Sequence, residues 1–144
     1  MHHCKNIRNF TPLSKIERLE SLDASCTNIS DISFLEKNKK IKKLNLNECE
    51  NIKEFKQLFK TDRLEMLNIG GTNISDISFL EKNKNIKELN LEFCKMIKDF
   101  TPISKIESLE DLNVSFTKIS DIAFLENNKN IQFLNLEILR LYLN

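Results

Sequence analysis

The chain has 144 residues, of which 40% are hydrophobic and 30% charged, about one domain's worth of a composition that folds rather than stays disordered. Its 22 Lys and Arg against 21 Asp and Glu leave a net charge of +1, so no global field draws it to nucleic acid or to an anionic membrane. No apolar run reaches the ~18 to 20 residues of a membrane span, and only two glycines argue against a phosphate loop or a turn-rich sandwich.

Taken from the start, Met1-His2-His3-Cys4-Lys5 is polar and shows no secretory signal. His2 and His3 are the only histidines. With Cys4 they match no standard zinc spacing and lack a fourth ligand, so no metal and a mobile terminus are expected. Residues 1–18 read as a partial repeat, because Cys4-Lys-Asn-Ile7-Arg-Asn-Phe10-Thr-Pro12 matches Cys94-Lys-Met-Ile97-Lys-Asp-Phe100-Thr-Pro102. A frame L-x-x-L-x-L-x-x-(T/C) then recurs at Leu19 to Thr27, Ile41 to Cys49, Leu64 to Thr72, Ile86 to Cys94 and Leu109 to Thr117, and a sixth begins at Ile131. Two frames make one 45-residue unit: NISDISFLEKNKKIKKLNL at Asn28 returns at Asn73 with differences only at Lys40/Asn85 and Lys43/Glu88.

Alternation in Leu44-Asn45-Leu46 describes a short strand with one buried and one exposed face. One such strand cannot bury its leucines alone, whereas parallel stacking at ~4.8 Å joins them into a continuous core. Strands are predicted near 21–25, 43–47, 66–70, 88–92, 111–115 and 133–137. The return segments carry S-x-x-E at Ser14–Glu17, Ser33–Glu36, Ser78–Glu81 and Ser104–Glu107, read as capping boxes opening short helical or 3₁₀ turns. Pro12 and Pro102 stand just before two of them, where a missing amide proton costs little.

On these frames the chain resembles the leucine-rich repeat family over nearly its whole length. The 22-residue Thr repeats, with Ile29, Ile32 and Leu35 following the frame, are similar to those of internalins and phosphatase-regulating members. The 23-residue Cys repeats are similar to the cysteine-containing class of F-box proteins. Most families place Asn where this chain has Thr or Cys. The resemblance implies an α/β, right-handed solenoid (a horseshoe) with a parallel concave sheet of about six strands and short helical or 3₁₀ turns on the convex side. One domain over 1–144 is expected, with repeats starting near 19, 41, 64, 86, 109 and 131.

Cys4, Cys49 and Cys94 share one slot two repeats apart, roughly 10 Å, beyond disulfide reach. They are expected to be buried thiols donating weakly to turn carbonyls, in a reduced, cytoplasmic setting. Cys26 lies near a strand end, within reach of Cys4 or Cys49, but no disulfide is expected. With no histidine in the repeats, no Ser-His-Asp or Cys-His arrangement is possible on the solenoid, and no H-E-x-x-H, G-x-G-x-x-G or Walker loop occurs. The expectation is a non-enzymatic chain with no catalytic residue, cofactor, metal or small-molecule substrate.

The candidate binding face consists of the concave residues alternating with the leucines. Its first column is Ser21, Lys43, Met66, Glu88, Asp111 and Phe133; its central column is Asp23, Asn45, Asn68, Asn90, Asn113 and Asn135. A third is Ser25, Asn47, Gly70, Glu92, Ser115 and Glu137, followed at the rim by Cys26, Glu48, Gly71, Phe93, Phe116 and Ile138. Six carboxylates (Asp23, Glu48, Glu88, Glu92, Asp111 and Glu137) face one lysine, Lys43, here. The expected site is Lys43, Met66, Glu88, Asn90, Glu92, Phe93, Asp111, Asn113, Phe116, Phe133, Asn135 and Glu137. Its expected partner is another protein with a basic patch, and its expected role that of an adaptor or regulatory subunit without membrane contact. Two other readings stay open. The convex lysines, Lys37, Lys39, Lys40, Lys53, Lys56, Lys60, Lys82, Lys84, Lys95, Lys98 and Lys105, suit a ribosome- or RNA-associated factor. An internalin-like surface or effector module is the other. Neither end of the sequence shows a polar cap, and the tail Ile138-Leu-Arg-Leu-Tyr-Leu-Asn144 is expected to fold back over the last repeat or to dock on another chain.

Overall fold

Leu44, Leu67, Leu89 and Leu112 are each at most 1% exposed, and they stand in direct register across one sheet. That register organises the molecule. In the computed structural model, which describes residues 7 and 9–138, six strands form a single parallel sheet in chain order. They are β1 (Ser21–Asp23), β2 (Lys43–Asn45), β3 (Met66–Asn68), β4 (Glu88–Asn90), β5 (Asp111–Asn113) and β6 (Phe133–Asn135). Between them the chain returns through 3₁₀ turns: η1 (Thr11–Lys15), η2 (Ser33–Glu36), η3 (Lys56–Lys60), η4 (Ser78–Glu81), η5 (Thr101–Lys105) and η6 (Ala123–Leu125). The core lies between the sheet and these turns, filled by the frame leucines and by Ile29, Ile52, Ile74 and Ile97 from the connecting segments. Phe79 and Phe100 add aromatic volume beneath the turns, with Phe59 and Phe124 against them. No described helix is long and apolar enough to cross a membrane.

Two expectations about local structure need correction. Every strand starts where predicted but ends two residues sooner, for a reason given below. The S-x-x-E segments are not capping boxes: no 3₁₀ turn has a side-chain bond at its N-cap, and Ser14 and Ser104 lie inside η1 and η5 rather than before them. A turn of one winding is too short to use that reciprocal pairing. Instead the residue two positions earlier opens it. The Oδ1 of Asp31, Asp76, Asp99 and Asp121 accepts the backbone N–H of Ser33, Ser78, Thr101 and Ala123 at 2.8 to 3.0 Å. The hydroxyls of Ser78 and Thr101, then their amides, hold the Asp76 and Asp99 carboxyls below the usual range. Pro12 and Pro102 lie within the first turn rather than ahead of it, because η1 and η5 begin at Thr11 and Thr101.

The convex turns are tied together by asparagine. Asn38 Nδ2 donates to the carbonyls of Leu13 and Ile16, and Asn128 Nδ2 to those of Ile103 and Ile106, each from the repeat before. Asn83, in the same column, donates to its own Phe79 carbonyl instead, and the Leu58 carbonyl of the preceding turn accepts the Thr61 hydroxyl. The expectations concerning His2, His3, Cys4 and the apolar tail from Leu139 concern residues outside those described.

Candidate functional site

The concave face is shaped by what its central column does to the backbone. Asn45, Asn68, Asn90, Asn113 and Asn135 each accept, through Oδ1, the N–H of the residue two positions on, at 2.8 to 3.1 Å. Asp23 does the same in β1, and the Ser25 hydroxyl and amide together hold its carboxyl below the usual range. Such a side-chain-to-backbone bond competes with the strand and closes it into a turn, which is why each strand stops after three residues. The predicted binding residues Asn90, Asn113 and Asn135 therefore use their oxygens in this turn, which fixes how they present their amide NH₂ groups.

The turn carries the chain to a rim of left-handed backbone. Cys26, Glu48, Phe93 and Phe116 have φ between 54° and 58°, and Gly71 has φ 66°. Each rim N–H donates to a carbonyl of the following repeat: Glu48 to Gly70, Gly71 to Glu92, Phe93 to Ser115 and Phe116 to Glu137. Cys49, Thr72 and Cys94 then close the turns back onto Leu46, Ile69 and Leu91. A positive φ at the third turn residue is where type II turns favour Gly or Asn. Only Gly71 obeys that preference. For an L-residue the left-handed region costs roughly 1 to 2 kcal/mol, and the inter-repeat hydrogen bonds impose it nonetheless.

These constraints display the predicted site residues unequally. Met66, Glu88, Asn90, Asp111 and Asn113 line one shallow groove of about 300 Å³ at the centre of the sheet. Lys43 stands beside it, in register with Met66. Glu92 lies next to the rim and takes a long contact, 3.5 Å, from Asn113 Nδ2. At the rim the rings of Phe93 and Phe116 stack, with centroids 4.5 Å apart and planes 14° from parallel. Phe93 is 42% exposed. Phe133 is 66% exposed on β6, where Asn135 and Glu137 are exposed as well. Among the described residues no Lys or Arg nitrogen comes within 4 Å of Glu88, Glu92, Asp111 or Glu137, since the ion pairs are Lys42–Glu20, Lys56–Glu54 and Lys87–Glu110.

Beneath the rim, the Thr/Cys slot does the work of an internal ladder. Thr27 Oγ1 and Cys49 Sγ both donate to the Ala24 carbonyl, at 2.7 and 3.1 Å. Thr72 Oγ1 and Cys94 Sγ both donate to that of Ile69, at 2.7 and 3.2 Å. The buried thiols thus reach back one repeat, as expected of small polar fillers. Burial pushes the Cys49 thiol up, and the Cys94 thiol up to about 11. Cys49 and Cys94 are free thiols among the described residues. No group of three or more metal-ligating side chains occurs among the described residues.

The family model for leucine-rich repeats (in two copies) matches residues 17–60 and 62–105, more than half of the sequence. The chain belongs to the leucine-rich repeat family. Among solved structures, this leucine-rich repeat chain is similar to internalin C2 of Listeria monocytogenes, with a TM-score of 0.78 at 22% identity over 89% of this chain and 56% of that one. A leucine-rich repeat protein of Leptospira interrogans gives 0.78 at 19% identity over 88% and 33%. The functional domain of internalin J of L. monocytogenes, which includes a cysteine ladder, gives 0.65 at 19% identity over 88% and 31%. The chain therefore spans little more than half, or less, of the structures it matches. No curated protein sequence matches it. The leucine-rich repeat fold is generally a protein–protein interaction module.

Sequence reasoning missed part of this surface. Glu48 and Gly71 belong to the expected rim but not to the expected site, and Glu50 and Met96 to neither, yet all four line one rim groove with Phe93. Lys95, grouped with the convex lysines, stands there too, with Nζ 5.7 Å from the Phe93 ring centroid. The available signal was Gly70-Gly71, which holds both glycines of the chain. Also missed was the alternation Glu20, Lys42, Glu65, Lys87, Glu110 just before the strands, a charge ladder that includes two of the three ion pairs.

Proposed function

We propose that this protein is a non-enzymatic adaptor or regulatory subunit that holds a polypeptide partner against the concave face of its C-terminal repeats. Phe93, Phe116 and Phe133 are the apolar anchors, framed by Glu88, Glu92, Asp111 and Glu137. The observation that carries this reading is the exposure of Phe93 and Phe133 near carboxylates that form no ion pair among the described residues. Exposed aromatic surface is costly in water unless a partner covers it, and aromatic side chains dominate binding energy at such surfaces. The acidic frame selects a partner with basic residues and speeds its approach. The buried thiols Cys49 and Cys94 suit an intracellular setting.

The test is a pull-down with the full chain and with Phe116→Ala and Phe133→Ala, read by mass spectrometry and then by calorimetry on the proteins recovered. A true partner loses about 2 kcal/mol or more of affinity in these variants. Charge reversal at Glu92 and Asp111 together slows its association at low salt. A partner indifferent to all four changes sinks the concave-face reading.

A further inference from the structure

The rim groove sets two carboxylates, Glu48 and Glu50, across from an aromatic ring, Phe93. It is an open slot of about 500 Å³ at Gly71, where one rim side chain is missing. Gly70 is buried, and a Cβ there would meet Asn47 Oδ1 at 2.8 Å, so that position accepts no other residue without rearrangement. A Cβ on Gly71 would meet Glu48 Cγ at 3.3 Å, beside the slot wall. Between Glu48 and Phe93, the absent Gly71 side chain is therefore what keeps the slot open.

Its walls differ in chemistry. On one side are two exposed carboxylates, Glu48 and Glu50, neither within 4 Å of a Lys or Arg nitrogen among the described residues. Cys26 Sγ donates to Glu48 Oε2 at 3.3 Å, which orients that side chain. On the other side is the Phe93 ring, backed by Phe116 and held on left-handed backbone. Met96, 51% exposed, widens the apolar wall. The ring already attracts the chain's own Lys95 ammonium, at 5.7 Å.

We propose that this slot receives an arginine side chain of a bound polypeptide, its guanidinium lying over Phe93 in place of Lys95 and hydrogen-bonding to Glu48 and Glu50. A flat cation fits an aromatic wall and a pair of carboxylates at once, because guanidinium stacks through its face and donates through its edge. Ammonium does only one of these well in a single pose. The site rests on the reading that the protein binds polypeptides, but it lies at the rim of the second to fourth repeats, apart from Phe133 and the central groove.

The experiment is an amide ¹H–¹⁵N titration of the full chain with three blocked tripeptides, Gly-Arg-Gly, Gly-Lys-Gly and Gly-citrulline-Gly. The arginine peptide produces saturable shifts clustered at Gly71, Thr72, Phe93 and Met96, the lysine peptide binds more weakly, and citrulline, isosteric but uncharged, gives none. Phe93→Leu weakens the arginine peptide about two- to five-fold, the span of an exposed cation–π contact. Lys95→Ala tightens it by a similar factor, since the internal competitor is gone; a purely structural role for Lys95 predicts no gain. Shifts that fail to cluster, equal binding of citrulline or lysine, or no tightening in Lys95→Ala overturn the proposal. A silent slot combined with partner loss in the Phe116 and Phe133 variants removes this site and leaves the concave-face reading standing. A responsive slot with an indifferent partner does the reverse.

Discussion

At the residue scale, the rim shows how far long-range hydrogen bonding overrides local preference. Cys26, Glu48, Phe93 and Phe116 adopt a conformation suited to glycine because their N–H groups must meet carbonyls of the next repeat. Glu48→Gly is accordingly expected to raise stability by about 0.5 to 1 kcal/mol, the backbone relief net of glycine's greater unfolded entropy, and equilibrium urea unfolding checks it. No change, or a loss, would show that the left-handed turn carries no strain. The buried thiols give a pH signature. Burial raises the Cys94 pKa from 9.0 to about 11. Below pH 9 both folded and unfolded chains keep this proton, so the full stability is present. Above it the unfolded thiol ionises first, and stability falls until the folded thiol follows, near 11. The loss is about 2 to 3 kcal/mol across that window. Urea unfolding at several pH values should show a shallower decline in Cys94→Ala than in the natural chain, and parallel declines would refute the assignment.

At the scale of elements, the leucine spacing made the strands legible: each start and the register of all six follow from it, because only one phase turns every frame leucine toward the core side. The strand ends were not legible from alternation. They are set by Asn45 and its counterparts, whose side chains take backbone N–H groups that a longer strand would use. The candidate site divides the same way. Phe133, Glu88 and Asp111 follow from the alternation, whereas the slot at Gly71 depends on which rim side chain is absent and on where Glu48 and Phe93 are carried by a turn their own residue types disfavour. The convex asparagines offer a comparison within one column. Asn128 bonds two carbonyls of the preceding turn, and Asn83 one carbonyl of its own. At about 1 kcal/mol per bond, Asn128→Ala should cost about 2 kcal/mol and Asn83→Ala about half as much. Equal losses by thermal or urea unfolding would mean that the inter-repeat bonds contribute nothing beyond burial.

Across the whole molecule, stability is a sum of repeats and the interfaces between them, since each repeat touches only its neighbours. Burial is accordingly uneven along the solenoid: Leu67 in the third repeat is fully buried between two flanking strands, while Leu134 on β6 is 40% exposed and the three β6 residues are all exposed. Leu67→Ala should therefore cost about 3 to 5 kcal/mol, near the upper end for a buried leucine that leaves a cavity. Leu134→Ala should cost under about 1.5 kcal/mol, because much of that side chain already meets water. Native-state hydrogen exchange should order the same way, with the amides of β3 and β4 opening only with the whole chain and those near β6 opening at lower free energy. This gradient bears on function: Phe133 and Glu137 belong to the repeat with the most exposed strand, so a partner covering them should slow exchange there first, with β3 and β4 little changed. Equal costs for the two leucine variants, or uniform exchange from β1 to β6, would show that the solenoid opens as one cooperative unit and that its C-terminal repeat is no softer than the rest.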